Sequence, residues 1–104
     1  MDQDGAESVF AATTEVDDGH ARVVVTGEVD MSTADAMLQA TAREDADRLT
    51  LDLRAVTFFD SAAIHAVVRL ADRFTGRFTV LPSRQVRRVL DISGLGDQPW
   101  LSAG

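Results

Sequence analysis

The sequence predicts an α/β domain with a mixed, mostly parallel four-stranded sheet and helices, in the order β-β-α-β-α-β-α. Two observations predict this class. The first is that apolar segments with the pattern of a strand, either a period of two or an unbroken apolar run, alternate along the chain with segments of helical spacing. The second is that this alternation follows an opening pair of strand segments, which indicates a hairpin. Strands separated by helices imply parallel crossovers, whereas the strands of a hairpin pair antiparallel.

The opening hairpin is predicted from two strand segments and a turn. Residues 8–16 are rich in Val, Phe and Thr, and residues 22–26 contain three consecutive valines, which favours strands. Between them, Asp17-Asp18-Gly19 is typical of a turn, because glycine accepts a positive φ. We expect the following residues, 27–30, to break the strand.

Strands and helices then alternate to the end of the chain. Leucines at 49, 51 and 53 alternate with Thr50 and Asp52, which predicts a strand with a polar outer face, and the apolar segment continues to Phe59. Residues 78–81 form the fourth predicted strand.

Three helices are predicted between and after these strands. Ser32 or Thr33 is expected to cap the first helix, and Ser83 the third. The predicted inward residues of the first helix are Ala34, Met37, Leu38 and Thr41. Those of the second are Ile64, Val67, Val68, Ala71 and Phe74, and those of the third are Val86, Val89 and Leu90.

Length and polarity define the expected organisation. The chain has 104 residues, enough for one domain, and we expect a flexible tail over residues 1–7 and a single domain over 8–104. The sequence has no apolar run near the roughly 20 residues of a membrane span, and the acidic start lacks the pattern of a secretory signal. We therefore expect a cytoplasmic protein.

Composition excludes several kinds of chemistry. The chain has no cysteine and no lysine, so thiolate metal sites, cysteine nucleophiles and Schiff-base lysines are absent. The net charge is −7, with twelve acids and two arginines in residues 1–47 and five acids and eight arginines in residues 48–104. An acidic chain is unsuited to general phosphate-backbone binding. We expect no enzyme activity, no cofactor and no direct nucleic-acid binding.

Asp60-Ser61 lies where a strand gives way to a helix, and two interpretations apply. The ordinary one is that the Ser61 hydroxyl caps a free backbone N–H of the helix. The functional one is that Ser61 accepts a phosphoryl group, which the helix dipole and free N–H groups would stabilise.

Other polar residues could contribute to a site. Asp30 also follows a strand, so we expect it to share one edge of the sheet with Ser61. A magnesium site there lacks a recognisable ligand spacing. The arginines 84, 87 and 88 suggest a solvated helix face with ion pairs or, less simply, a partner or phosphate site. His65 lies one helical turn from Ser61, but no nucleophile-elbow sequence surrounds that serine.

Three motifs resemble those of the STAS domain family, and specifically its bacterial anti-sigma-factor antagonists. They are TGEVD at residues 26–30, VTFFDS at residues 56–61 and VRRVLDISGL at residues 86–95. The resemblance extends over about residues 8–97 and implies a STAS-like fold.

The resemblance also implies a function. Such an antagonist binds an anti-sigma factor, often a serine kinase, and so releases the sigma factor. The kinase phosphorylates the serine of the Asp-Ser motif, and a PP2C-type phosphatase restores it. Carried over, Ser61 is the phosphorylation site, and the predicted partner-binding residues are Asp30, Asp60, Ser61, Ala62, Ala63 and Ile64.

One position departs from the family pattern. Family members usually have glycine where this chain has Ala63, two residues after the serine. A methyl group there could hinder a close approach or a backbone shape that glycine accepts easily. The alternative function is therefore a non-phosphorylated STAS interaction module in another signalling or transport assembly.

Overall fold

The computed structural model describes residues 10–42 and 45–103, and its elements follow the predicted order. They are β1 (Ala11–Asp17), β2 (His20–Val29), α1 (Ala34–Ala40), β3 (Arg48–Phe59), α2 (Ser61–Arg73), β4 (Phe78–Pro82) and α3 (Arg84–Ile92). The predicted tail, the first residues of the predicted first strand (8 and 9) and residue 104 lie outside the described residues. None of the described helices is long and apolar enough to cross a membrane.

A single mixed sheet organises the core. Its strand order is β1-β2-β3-β4, with β1 antiparallel to β2 and the other pairs parallel, as predicted. The register aligns Val23, Leu51 and Val80 across three strands, and all three are fully buried. The α1 and α2 crossovers both connect parallel neighbours, and the two helices contact each other, so they cover the same face of the sheet.

Strand β2 is longer than predicted. Residues 27–29 were expected to break it, but they continue to pair with β3, and a register shift falls between Gly27 and Glu28. Gly27 has a φ of 90°, a conformation that glycine adopts without strain. This glycine therefore introduces an irregularity and does not end the strand.

The predicted inward face of α2 is partly wrong. Val68 is 42% exposed, whereas Ala63, Ala66 and Leu70 are buried together with Val67. Apolar residues occupy much of the circumference of this alanine-rich helix, so spacing alone does not define one face. Packing against the sheet and α1 selects the face with the small alanines.

The C-terminal residues protect the edge of the sheet. Leu101 forms a parallel bridge with Val80, whose N–H donates to the Trp100 carbonyl oxygen at 2.8 Å and whose carbonyl accepts from the Ser102 N–H at 3.0 Å. The Trp100 ring packs on Phe78 with centroids 5.7 Å apart. This segment, to which the sequence assigned no role, satisfies backbone groups that an edge strand would leave open.

Asp52 is buried on the face that the alternating pattern predicted to be polar. Its side chain is 7% exposed, and its Oδ2 accepts hydrogen bonds from Arg54 Nη2 at 2.8 Å and Arg22 Nη2 at 3.2 Å. Its Oδ1 accepts from the Arg54 Nε at 3.0 Å and the backbone N–H at 3.1 Å. Hydrogen bonding from the Arg54 side chain lowers the pKa of this carboxyl below its ordinary value.

Asp52→Asn should lower the free energy of unfolding by about 1–2 kcal/mol at neutral pH, because charge-assisted hydrogen bonds are lost. Since the folded-state pKa of Asp52 is depressed, its stabilisation is present above the ordinary carboxyl pKa and disappears as pH falls below about 4. The decrease in the free energy of unfolding from neutral to acidic pH, measured by urea denaturation, should therefore be smaller in the variant. Asp72→Asn, at an exposed helix position, is the matched control. An equal decrease in the free energy of unfolding in wild type and Asp52→Asn would contradict a stabilising role for the Asp52 carboxylate.

Candidate partner-binding site

Two loops meet at one edge of the sheet because β2 and β3 end in register. Val29 pairs with Phe59, and the Asp60 N–H donates to the Val29 carbonyl oxygen at 3.3 Å. Asp30 and Asp60 therefore begin adjacent loops, and Ser61 follows at once, so the structure brings the predicted residues together. We call residues 28–33 and 58–64 the rim.

Asp30 organises its own loop. Its Oδ1 accepts hydrogen bonds from the Ser32 N–H at 2.9 Å and the Ser32 hydroxyl at 2.7 Å. The Thr33 hydroxyl accepts from the Asp30 N–H at 2.9 Å and donates to the Glu28 carbonyl at 2.9 Å. The hydrogen bonds that the carboxylate accepts, led by that of the Ser32 hydroxyl, lower the pKa of Asp30, so this carboxylate stays charged and held in one direction.

The predicted cap of α1 is only partly correct. Thr33 occupies the N-cap position, but its side chain makes no capping bond to the helix. Its hydroxyl is engaged with the strand end and the Asp30 N–H. The loop bonds around Asp30 thus replace the expected cap.

The cap of α2 is Asp60, and the interpretation of Ser61 as a helix cap is wrong. The Asp60 Oδ1 accepts from the Ala63 N–H at 3.1 Å, and its carbonyl accepts from the Ile64 N–H at 3.0 Å. Ser61 is the first helical residue and is exposed. Within the described ranges its hydroxyl has no hydrogen-bond partner, and neither its N–H nor that of Ala62 has a backbone acceptor. The rim therefore presents a free hydroxyl beside free N–H donors.

Exposed apolar side chains flank these polar groups. Met31 is 83% exposed and Phe58 is 43% exposed, one in each loop region of the rim. Large exposed apolar groups that lie together often mark protein contacts. Neither residue was among those predicted for the site, although the strand pattern indicates the exposure of Phe58. It precedes the inward Phe59 in a strand, so alternation places it on the opposite face.

The three residues after Ser61 differ in exposure. Ala62 and Ile64 are half-buried, whereas Ala63 is fully buried in the core. Ala63 lies in a regular helix, and Asp18 is the sole non-glycine residue with a positive φ among those described. Glycine is thus not required by the backbone here, and the methyl group points away from the surface. Partner contacts of these residues stay predictions, and any effect of Ala63 would act through packing.

The catalytic and metal-binding alternatives depend on how His65 and the acidic side chains are placed. His65 is exposed on α2, and no hydrogen bond joins its ring to Ser61 in the described part of the chain. Across residues 10–42 and 45–103, no three His, Asp or Glu side chains cluster in a way that could hold a metal ion.

Comparison with protein-family models matches residues 11–103 to the STAS domain. This chain therefore belongs to the STAS domain family. A search of curated proteins found no match.

Solved structures with this fold include antagonists of anti-sigma factors. An anti-sigma factor antagonist from Mycobacterium paratuberculosis superposes with a TM-score of 0.78 at 27% identity, over 92% of this chain and 87% of that one. The antagonist SpoIIAA in its unphosphorylated form gives 0.68 at 22% identity, over 88% and 86%. The phosphorylated form of SpoIIAA from Bacillus gives 0.66 at 21% identity, over 88% and 89%. The two SpoIIAA structures support the fold alone.

Ala63→Gly should lower the free energy of unfolding by about 1–2 kcal/mol, because glycine weakens a helix and the buried methyl group is lost. Ala71→Gly, in the same helix at a half-buried position, is the control and should cost less. Urea denaturation measures both. Unchanged stability in Ala63→Gly would show that the methyl group is not packed as the structure has it.

Proposed function

We propose that this protein is an anti-sigma factor antagonist that binds an anti-sigma factor through the rim and so releases a sigma factor. The observation that carries the proposal is the rim itself, where an exposed serine hydroxyl without a partner lies beside ordered acids and exposed apolar side chains. The solved antagonist from Mycobacterium paratuberculosis supports this role for a chain of the same fold. The protein would act in the cytoplasm by binding, without catalysis of its own.

Phosphorylation of Ser61 would switch the antagonist off. The Ser61 Oγ would attack the γ-phosphorus of ATP held by the anti-sigma kinase, forming an O–P bond, releasing ADP and losing the hydroxyl proton. The new group adds about −1.5 to −2 charges. It would stand near the carboxylates of Asp30 and Asp60, on a surface that also carries the exposed apolar side chains of Met31 and Phe58.

The expected effect on binding is large. A charge left unpaired in a closed interface costs about 3–5 kcal/mol, which corresponds to a hundredfold or greater loss of affinity. A PP2C-type phosphatase would hydrolyse the phosphoserine and restore binding. The capping bond of Asp60 does not involve Ser61, so the phosphate could be added and removed while α2 keeps its cap.

The alternative of a non-phosphorylated interaction module rested on Ala63. Its methyl group is enclosed in the core and the helix around it is regular. It therefore leaves the approach to Ser61 open, and we favour the switch.

Incubation with the cognate anti-sigma kinase and ATP should add one phosphate to the wild-type chain and none to Ser61→Ala, as measured by intact-protein mass. Ser32→Ala is the matched control, because Ser32 is the other exposed serine of the rim but its hydroxyl is bound to Asp30. That control should still be phosphorylated. A kinase that binds the protein yet adds no phosphate would overturn the switch and leave a constitutive binding module.

Phe58→Ala should weaken binding to the anti-sigma factor about tenfold or more, because truncation of a buried interface aromatic typically costs at least about 1–2 kcal/mol. Val68→Ala removes an exposed apolar side chain outside the rim and is the control. Isothermal titration calorimetry with unphosphorylated protein measures both. Equal affinity of the two variants would place the interface elsewhere.

A further inference from the structure

A basic groove lies beside the rim, between β3 and α3. Its walls are residues 54–57 of β3 and the first turns of α3 with its cap, Ser83, and its volume is about 430 Å³. The groove exists because β4 pairs with β3 only as far as Leu53, so the remainder of β3 extends beyond its neighbour and faces α3. We call it the basic groove.

Three arginines line the basic groove, and no acid does. They are Arg54 from the strand and Arg84 and Arg88 from the helix. Arg54 is bonded to Asp52 beneath it. Neither Arg84 nor Arg88 forms an ion pair with any residue in the described ranges.

Among the described residues, no ion pair explains why these two arginines lie together. Arg84 and Arg88 are four residues apart, so they share one face of α3, where like charges repel. The nearest acid on that helix, Asp91, directs its carboxylate toward Gly96. The chain has 17 acids against 10 basic residues, yet none of the acids within residues 10–42 and 45–103 pairs with Arg84 or Arg88. Concentrated positive charge in a concave site of an acidic protein is typical of a binding site for an anionic partner.

We infer that the basic groove is a second docking site, which takes an acidic segment of a protein partner. The inference rests on the proposed function for the identity of that partner, the anti-sigma factor. Arginine binds carboxylates through paired, directional N–H donors, so Asp and Glu side chains match this site.

The dimensions favour a peptide over a small anion. Residues 54–57 span about 10 Å of strand, and Arg84 and Arg88 are one helical turn, about 6 Å, apart along the opposite wall. The groove therefore suits a short extended segment with several carboxylates. Its strand wall runs directly into Phe58, so a partner bound to the rim could reach it without a gap. The net charge of −7 disfavours a nucleic acid.

The docking site would act differently from the switch. Charge pairs at an exposed groove mainly accelerate association and are screened by salt. The phosphorylatable hydroxyl of Ser61 does not line this groove. The groove should therefore still bind an acidic segment through the same residues when Ser61 carries a negative charge.

The test uses the whole chain and a hexaglutamate peptide as probe, followed by ¹⁵N chemical-shift titration at low salt. Shifts should map to residues 54–57 and 83–88. Affinity should fall about tenfold in Arg84→Ala/Arg88→Ala and with a rise to physiological salt. Arg69→Ala/Arg77→Ala removes the same number of positive charges away from the groove and should leave the affinity for the peptide unchanged. Ser61→Asp should show shifts at the same groove residues.

Two results would overturn the inference. One is equal weakening by the two double variants, which would mean a diffuse charge effect. The other is inorganic phosphate binding at the same residues as tightly as the peptide, which would mean a small-anion site. The peptide assay needs no anti-sigma factor, so it can succeed while the phosphorylation test fails, and the reverse is equally visible.

Discussion

The parallel pairing of β2 with β3 is the constraint on which the rest of the structure depends. These two strands form the centre of the sheet, and their register pairs Val23 with Leu51, both of which are fully buried in the core. Because both strands end together at Val29 and Phe59, the two loops of the rim start side by side. A shift of one residue in this register would separate Asp30 from Ser61 and turn the core side chains outward.

The capping of α2 by Asp60 determines what Ser61 can do. The side chain of a cap residue accepts a hydrogen bond from a backbone N–H of the helix, and here Asp60 accepts that bond. Ser61 is thereby moved one position into the helix, where its hydroxyl has no structural task among the described contacts. The same acid holds the helix start and lies beside the point where the proposed phosphate would arrive. A structural bond and a regulatory charge are thus kept on separate residues.

The rim and the basic groove would bind a partner through different kinds of interaction. The rim combines apolar side chains with acids whose effect depends on close, dry contact, so an added phosphate there is decisive. The groove presents fixed positive charge at an open surface, where interactions are weaker, longer in range and sensitive to salt. Both surfaces depend on β3. This strand continues beyond its last pairing with β4, which leaves one wall of the groove, and it then ends at the cap of α2, where the rim lies.

The sequence by itself determined the order of elements, the mixed sheet and the placing of Asp30 and Ser61 at one edge. These follow from local periodicity, turn residues and the geometry of parallel crossovers. Only the tertiary structure decided that Asp60 and not Ser61 is the cap, that Ala63 faces the core, and that Asp52 is buried between arginines. It also decided that the C-terminal residues cover β4. Each of these depends on which neighbour a side chain or backbone group meets across the chain, and spacing along one segment carries no information about that partner.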